Sequence, residues 1–431
     1  MTPAARLAAA IDILDELARR DAPTRDILSA YFRRRRYAGS GDRVAVRERV
    51  YDTVRDLARL KWHLGRAGGD ADRPRHWLLA ACALAGEPVT DLFSGERFAP
   101  AALDPAEVDL LSALKTADNR DDTVPDAARL GCPAWLEPAL RVSLGIGFAE
   151  EMRALNLPAP VDLRVNVARS DRNAVCRALA GAGIDAALTD ISPWGVRLAA
   201  HPDLKDVAPF SEGLVEPQDE GSQVLALAVG AVPGDRVVDY CAGAGGKTLA
   251  LAAAMAGQGQ IVACDVSAAR LRRMAPRLAR AGMTGMVEYH DLSAGDGLPL
   301  PPGTADRVLV DAPCSASGTW RRHPFQRWRL DQAALDALLV MQRDILAASA
   351  ELVRPGGRLV YSTCSLLDLE NGDQADRFAA AHGDFVRLKV DQCLPGILRP
   401  DMVTSRGDLR LTPARHGTDG VYAALLERKA V

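Results

Sequence analysis

Two cysteines are the side chains of this sequence best suited to covalent chemistry. Cys314 and Cys364 each follow an apolar stretch that predicts a buried β-strand, Arg307–Asp311 and Arg358–Thr363. Ligands of an open α/β sheet bind outside the carboxyl ends of its strands, so both thiols and Asp311 should face one crevice. The eight cysteines include no CxxC pair, which disfavours a zinc module or a dense disulfide framework. We therefore expect these two cysteines to act as thiols, and we expect no metal.

A glycine-rich turn, Asp239–Thr248, joins another predicted strand to a helix. Its glycines let a ligand approach the backbone closely, and the helix amides that follow can meet an anionic group. The turn does not match a phosphate loop, because Cys241 stands where that motif has its first glycine. It also lacks the third glycine of the dinucleotide fingerprint, since that position is Thr248. A nucleoside without phosphates therefore remains as the candidate ligand of this turn.

Two carboxylates complete the predicted ligand site. Asp265 ends the next strand, where it can accept hydrogen bonds from ribose hydroxyls, and Asp291 ends the third strand, where it can meet an adenine edge. A glycine-rich turn followed by acids at two successive strand ends favours S-adenosylmethionine as the cofactor. The residues expected to bind it are Cys241, Ala242, Gly243, Ala244, Gly245, Gly246, Lys247, Asp265, Asp291 and Asp311.

The elements that must position these residues are predicted from hydrophobic periodicity. Residues 1–135 show helical spacing, residues 136–225 predict a small α+β region, and residues 226–431 alternate strand and helix. The last pattern predicts a mostly parallel, doubly wound sheet of the α/β class. The predicted strands are Arg236–Tyr240, Ile261–Asp265, Met286–Tyr289, Arg307–Asp311 and Arg358–Thr363, and the predicted helices are Lys247–Met255, Ala268–Ala281, Asp331–Val353 and Leu369–His382.

Composition narrows the class of protein further. The 431 residues carry a net charge of −3, and no window approaches the roughly 18 uncharged apolar residues of a membrane span. Asp12 and Asp15 interrupt the N-terminus where a signal peptide needs an apolar block, so we expect a cytoplasmic protein. Only six of the 53 basic residues are lysine, which makes Lys247 in the glycine-rich turn a notable residue.

Together these motifs resemble the signature segments of the Nol/Nop/Sun family of RNA cytosine-5 methyltransferases. The resemblance covers residues 155 to the end and is carried by Gln218–Gln223, Asp239–Thr248, Asp311–Pro324, Ser362–Ser365, Glu370-Asn371 and Arg415–Gly420. It implies a Rossmann-like class I methyltransferase domain after a small RRM-like α+β domain. The helical N-terminus resembles the NusB-like RNA-binding domain of the family's bacterial small-subunit rRNA member. Gly243-Ala244 departs from the family's Ala-Pro, and Ala316 replaces a common glycine.

The resemblance implies S-adenosylmethionine-dependent methylation of carbon 5 of a cytosine in RNA, most typically small-subunit (16S) rRNA. It assigns Cys364 to the attack on carbon 6 and Cys314 to release of the enzyme. It assigns Asp311 to ring nitrogen 3 and the amino group, and Lys247 to a cation near the base or the methionine carboxylate. Spacing alone does not distinguish the two cysteines, because DNA cytosine methyltransferases use the Pro-Cys thiol as nucleophile.

Two basic segments are candidates for RNA contact. One is the run Arg33, Arg34, Arg35 and Arg36, and the other is Arg321, Arg322 and His323 after the Cys314 motif. Their structural alternatives are a solvated helix end and a surface salt-bridge cluster. Two other functions stay open, namely the same chemistry on tRNA or another RNA, and a non-catalytic RNA-binding or ribosome assembly factor. We expect RNA as the partner, a monomer and no membrane.

Overall fold

Helical spacing of apolar residues marks the start of the chain, and the structure forms helices there. The computed structural model describes residues 1–116, 123–295 and 297–430. The chain divides into two units: the first comprises Met1–Arg141, Phe148–Asn156 and Trp320–Leu330, and the second comprises Val142–Gly147, Leu157–Thr319 and Asp331–Val431. The helices up to residue 155 are α1 (Pro3–Arg19), α2 (Thr24–Arg34), α3 (Ser40–Arg55), α4 (Leu57–Ala67), α5 (Pro74–Leu84), α6 (Val89–Leu92), α7 (Pro105–Thr116), α8 (Asp126–Arg129), α9 (Glu137–Leu144) and α10 (Phe148–Leu155).

Helix α1 illustrates how the local sequence sets these elements. The Thr2 hydroxyl accepts a hydrogen bond from the Ala5 amide at 3.1 Å, and a proline occupies the first turn. Leu7, Ile11 and Leu14 then lie on one face and are buried in the core of the first unit. Burial of this face, more than helix propensity, stabilises the helix.

The helices extend beyond residue 135, where the sequence analysis placed a domain boundary. Helices α9 and α10 follow that point, and strand structure begins only at Val161. Each of these helices has eight residues, and Gly145–Gly147 separates them. Two short helices interrupted by glycines contain too few turns to show a clear period, which explains the difference.

Residues 320–330 belong to the helical unit although they follow the Cys314 motif in sequence. Phe325 lies in the core of that unit. Arg327 is buried and donates hydrogen bonds to the Gly131 carbonyl at 2.7 Å and to Asn156 Oδ1 at 2.8 Å. Trp328 Nε1 donates to the Val54 carbonyl at 3.0 Å. This eleven-residue segment is therefore an integral part of the helical unit.

The small α+β region is built on a four-stranded antiparallel sheet. Its elements are β1 (Val161–Val165), α11 (Arg172–Gly181), β2 (Ala186–Leu188), β3 (Gly195–Leu198), α12 (Ala208–Ser211) and β4 (Val215–Pro217). The strand order is β2-β3-β1-β4, so β1 is a central strand. Helix α11 begins after Asp171, whose carboxylate accepts a hydrogen bond from the Ala174 amide at 2.9 Å.

The larger sheet of the second unit is mixed. Its elements are α13 (Glu220–Val229), β5 (Arg236–Asp239), α14 (Gly246–Ala254), β6 (Gln260–Asp265), α15 (Ala268–Arg272), α16 (Ala275–Ala281), β7 (Val287–Asp291), β8 (Ala305–Asp311), α17 (Gln332–Ala350), β9 (Val353–Thr363), α18 (Gly372–Ala381), β10 (Phe385–Leu388), α19 (Val390–Cys393), β11 (Leu409–Leu411), α20 (Pro413–His416) and β12 (Val421–Arg428). The strand order is β10-β12-β9-β8-β5-β6-β7, and β11 pairs with β12. Strands β5 to β9 are mutually parallel, whereas β10, β11 and β12 run antiparallel to their neighbours.

The five predicted strands are all present, and the mostly parallel α/β class is confirmed. The sequence analysis missed the three antiparallel strands. Strand β12 reads Val-Tyr-Ala-Ala-Leu-Leu-Glu-Arg, whose alanine, leucine and glutamate favour a helix, and burial in the sheet overrides that preference. Predicted helix Ala268–Ala281 is divided into α15 and α16, with Pro276 in the first turn of α16. Among the described residues, the structure shows no helix with the length and apolar character of a membrane span.

Candidate active site

The glycine-rich turn has the shape of a ligand cradle. Gly243 and Gly245 adopt left-handed backbone conformations with φ of 56° and 83°. A Cβ added to Gly243 would meet no atom within 4 Å, whereas one on Gly245 would lie 2.3 Å from Met274 Cγ. Helix α14 starts immediately after Gly245 without a side-chain cap. The turn therefore presents open space and helix amides, which suit the carboxylate of an amino-acid-like ligand such as S-adenosylmethionine.

Asp265 and Asp291 end adjacent parallel strands and are paired in register. Asp265 is buried and accepts hydrogen bonds from the Gly243 amide at 2.9 Å and the Ser267 amide at 2.8 Å. Asp291 accepts from both the amide and the hydroxyl of Ser293, at 3.0 and 2.7 Å. These hydrogen bonds from Ser293 lower the pKa of Asp291. Both acids thus lie at the edge of the sheet where the ligand was expected.

Arginines hold the glycine-rich turn through its carbonyl groups. Arg164, on β1, is buried and donates to the Gly246 carbonyl at 2.7 Å. Arg277 donates to the Ala244 carbonyl. Glu216, on β4, fixes Arg277 at 2.8 Å and also pairs with Arg280 at 2.5 Å. The α+β region therefore braces the turn at the position where the family's Ala-Pro is replaced.

The sequence analysis missed this brace. No sequence signal marked Arg164, because the alternation of Val161–Asn166 places it on the polar face of the strand, where exposure is the usual expectation. Burial lowers its pKa to about 10.

Asp239 lies beneath the glycine-rich turn and is fully buried. Its Oδ2 accepts a hydrogen bond from the Thr248 hydroxyl at 2.7 Å, and among the described residues its Oδ1 has no hydrogen-bond partner. Burial raises the pKa of Asp239 to about 7. A neutral carboxyl is the less costly form in such an environment.

Lys247 and Asp311 form an ion pair at the carboxyl end of β8, with Nζ 2.7 Å from Oδ2. Burial alone would lower the pKa of Lys247, because it disfavours the charged form. The negative charge of Asp311, with a smaller contribution from Cys364, outweighs burial, so the pKa of Lys247 is raised. Ser362 donates a hydrogen bond to Asp311 Oδ1 at 3.3 Å. The carboxylate is thus oriented by a cation on one oxygen and a hydroxyl on the other.

The two cysteines meet at the same edge. The first cysteine loop (residues 312–319) and the second (residues 364–367) follow the adjacent strands β8 and β9, and the Sγ atoms of Cys314 and Cys364 are 3.4 Å apart. The contact with Cys364, burial and the nearby Glu370 raise the pKa of Cys314 well above its usual value. In the first loop Ala316 has a φ of 53°, a left-handed conformation that explains why glycine is common there.

The predicted RNA-contact residues fall into different environments. Arg33, Arg34 and Arg36 are exposed. Arg35 is half-buried, and its Cζ atom lies 3.7 Å from the centre of the Tyr31 ring. In the other segment His323 is exposed and Arg322 is half-buried.

Arg321 is only 6% exposed, so this structure does not present its side chain to a phosphate as the sequence analysis had expected. It lies within the 320–330 segment that packs into the helical unit. Packing of that segment is the physical reason for the difference.

The sheet order, the glycine-rich first crossover and the acidic strand ends define a class I S-adenosylmethionine-dependent methyltransferase. Residues 226–427 match the family described as 16S rRNA methyltransferase RsmB/F, and residues 132–205 match the RsmF/B-like ferredoxin-like domain. The chain belongs to this family.

Relatives and solved structures agree with that assignment. The chain is 32% identical over 304 residues to ribosomal RNA small subunit methyltransferase B of Vibrio cholerae, covering 70% of this chain and 67% of the relative. It is 34% identical over 298 residues to the probable small subunit methyltransferase B of Synechocystis, covering 69% and 66%. The match therefore spans about two thirds of these relatives. The crystal structure of PH0851 covers 99% of both chains with a TM-score of 0.80 and 26% identity.

Proposed function

We propose that this chain transfers a methyl group to carbon 5 of a cytosine in small-subunit ribosomal RNA. The observation that carries the proposal is the pair of thiols 3.4 Å apart beside the Lys247–Asp311 ion pair. A nucleophilic thiol at the ligand edge of a methyltransferase sheet suits a reaction that needs covalent activation of the substrate. The names of the relatives support ribosomal RNA as the substrate.

Cytosine requires such activation because its carbon 5 is a weak nucleophile. A thiolate adds to carbon 6, and the electron pair of the 5,6 double bond moves into the ring to give an enamine whose carbon 5 can accept a methyl group. Ring nitrogen 3 takes up a proton as negative charge develops in the ring, and the Asp311 carboxylate accepts hydrogen bonds from the resulting N–H and from the amino group. After methylation the carbon 5 proton passes to solvent, its electron pair re-forms the 5,6 double bond and expels the thiolate from carbon 6, and nitrogen 3 releases its proton. S-adenosylmethionine supplies the methyl group when bound.

Electrostatics support Cys364 as the attacking residue. A nearby cation stabilises a thiolate, whereas a nearby anion disfavours it. Lys247 acts on Cys364, while Glu370 acts on Cys314. Cys314, whose raised pKa keeps it protonated, then serves the release of the enzyme from the methylated base.

The cofactor residues proposed from the sequence retain their assignment. The amides at the start of α14, from Gly246 onward, would hold the methionine carboxylate. Asp265 would hold the ribose hydroxyls and Asp291 the adenine edge. The rest of the turn, Cys241 to Gly245, would supply close backbone contact.

RNA must present its target base outside the helical stack, which costs a few kcal/mol and least in a single-stranded site. We propose that Arg322 and His323, which follow the Cys314 motif in sequence, contact phosphates of the RNA. The exposed Arg33, Arg34 and Arg36 would add a phosphate contact on the helical unit. The cysteines, the ion pair and the glycine-rich turn come from one chain, which supports action as a monomer. We propose that it acts in the cytoplasm on rRNA before or during subunit assembly.

The test is bisulfite sequencing of rRNA and tRNA from a strain that lacks this gene. We expect one 5-methylcytosine to disappear from small-subunit rRNA and to return when the wild-type gene is restored. Transfer of a radiolabelled methyl group by the purified protein to naked small-subunit rRNA would confirm direct action. Loss of methylation only in tRNA, or no loss and no transfer, would contradict the proposal.

A further inference from the structure

Glu370 follows the second cysteine loop and is fully buried. Its Oε1 accepts hydrogen bonds from the Ser315 amide at 2.8 Å and the Gln342 side-chain amide at 3.0 Å. Its Oε2 accepts from the hydroxyls of Ser315 and Ser365, both at 2.5 Å. One carboxylate thus receives four hydrogen bonds.

These donors come from both cysteine loops. Ser315 directly follows Cys314, and Ser365 directly follows Cys364. Gln342, on α17, also donates to the Pro313 carbonyl at 2.9 Å, so it ties the first loop to the same point. The residue next to each sulfur is therefore fixed to a single carboxylate.

The hydrogen bonds that join the two cysteine loops do not by themselves explain why residue 370 is a negatively charged glutamate. Among the described residues, the side-chain contacts of Glu370 are hydrogen bonds from neutral groups, and burial of a carboxylate without a cationic partner is costly even when it is hydrogen-bonded. A neutral glutamine could also join two loops through hydrogen bonds. The charge does have a neighbour to act on, since it contributes to the raised pKa of Cys314.

Other groups also face the Cys314 sulfur. Cys364, at the end of β9, lies 3.4 Å away. Tyr361, on β9, is buried, and its hydroxyl donates to the Glu370 carbonyl at 2.5 Å. Lys247, paired with Asp311, interacts electrostatically with Cys364, which helps to raise the pKa of Lys247. Glu370, which follows the second cysteine loop, is therefore the carboxylate whose charge helps to raise the pKa of Cys314.

We propose that Glu370 is a positioning residue that holds the two thiols in register and keeps Cys314 as a neutral thiol while Cys364 attacks. This inference rests on the proposed function, because it gives the two cysteines different protonation states for different steps. The hydrogen bonds of Glu370 to both loops set the distance between the two sulfurs, and its negative charge sets the difference between their protonation states. The two effects are separable by substitution.

Glu370→Gln removes the charge and retains the shape. Its amide oxygen can accept from the Ser315 and Gln342 amides, and its amide nitrogen can donate to the two serine hydroxyls, which are able to rotate. Ser365→Ala does the opposite, because it removes one connection and leaves the carboxylate. Asp368→Asn is the matched control, since Asp368 lies in the same turn and its carboxylate pairs with Arg410, which also donates to the Leu366 carbonyl. Within the described part of the chain, Asp368 forms no hydrogen bond to Ser315 or Ser365.

The experiment measures alkylation of Cys314 by iodoacetamide as a function of pH, in the whole protein without RNA, by peptide mass spectrometry. We expect Glu370→Gln to shift the profile to lower pH and to make alkylation about tenfold faster near neutral pH, which is the effect of one pKa unit. Ser365→Ala and Asp368→Asn should leave the profile in place. Methyl transfer should fall in Glu370→Gln and Ser365→Ala but not in Asp368→Asn.

An unchanged alkylation profile in Glu370→Gln would overturn the proposal, whatever happens to methyl transfer. A similar shift in Ser365→Ala would also overturn it, because the connection alone would then control the thiol. If Glu370→Gln unfolds, Glu370→Asp retains the charge on a shorter side chain, and a shift to lower pH in that folded variant would count against a role for charge. Alkylation is read without substrate, so a failure of the RNA assignment would not affect it.

Discussion

The glycine-rich turn and the cysteine loops lie at the same sheet edge, and the side chains that bind their backbone and hydroxyl groups differ in charge. Arg164 and Arg277 bind the carbonyls of the turn. Glu370 instead accepts hydrogen bonds from the amide and hydroxyl groups of the cysteine loops. Cations therefore hold two carbonyls of the turn, whose Gly243 amide is bound by Asp265. An anion joins the two cysteine loops, where Arg410 also donates to the Leu366 carbonyl.

The difference reflects what each region must do. A turn that receives a carboxylate must keep its helix amides for the ligand, so it is fixed through its carbonyls, and the bracing cations add a favourable field for an anion. A thiol that must stay protonated is better placed beside an anion. The following predictions test whether each brace acts as this comparison requires, from the largest effect to the smallest.

Gly245→Ala should damage the turn much more than Gly243→Ala. Both glycines have positive φ, but only the Cβ at residue 245 meets Met274, at 2.3 Å. The left-handed conformation costs roughly 1–2 kcal/mol in each variant, and overpacking adds about 1–3 kcal/mol at residue 245. Chemical unfolding of the two variants measures this difference in the free energy of unfolding. Equal losses would show that Met274 does not confine the turn.

Arg277→Ala should weaken cofactor affinity about tenfold, the effect of one charge-assisted hydrogen bond of about 1.5 kcal/mol. Arg280→Ala is the matched control, because Arg280 shares the Glu216 partner and no hydrogen bond to the glycine-rich turn is seen for it among the described residues. Its affinity should stay within about twofold of wild type. Isothermal titration with S-adenosylmethionine makes the comparison. A comparable loss in both variants would assign the effect to Glu216 and not to the Ala244 carbonyl.

Ala316→Gly should stabilise the protein slightly. Ala316 has a φ of 53°, so glycine relieves roughly 1 kcal/mol of backbone strain, partly offset by greater freedom of the unfolded chain. Ala337→Gly, at an exposed position inside α17, should instead destabilise by about 1 kcal/mol. The measurement is the free energy of unfolding of both variants. A loss at residue 316 would mean that the loop does not need the left-handed conformation.

The residues that would carry out the chemistry could be predicted from the sequence, whereas the residues that hold them in place could not. Cys314, Cys364 and Asp311 follow predicted strands, and the rule that ligands bind at the carboxyl ends of strands is enough to place them together. Glu370 acts on Ser315, 55 residues away, and no periodic pattern connects the two. Arg164 braces the turn from a different sheet. Such contacts depend on the tertiary fold, which local patterns do not encode.

The limits of local sequence patterns also apply to the prediction of strands and helices. Strands β5 to β9 were predicted because buried parallel strands are continuous apolar runs between glycine and proline signals. Strand β12 was missed because its residues favour a helix when read locally. Arg321, Arg322 and His323 were expected to contact RNA, yet Arg327 and Phe325 anchor the 320–330 segment in the helical unit. Membership in that unit depends on residues nearly 200 positions away.

The central claim is that the two cysteines have different roles, with Cys364 as the nucleophile. The most direct measurement is denaturing gel electrophoresis of Cys314→Ala and Cys364→Ala after incubation with radiolabelled small-subunit rRNA and S-adenosylmethionine. We expect Cys314→Ala to accumulate a covalent protein–RNA adduct, and Cys364→Ala to form no adduct and to transfer no methyl group. An adduct in Cys364→Ala but not in Cys314→Ala would contradict the account and reverse the roles of the two thiols.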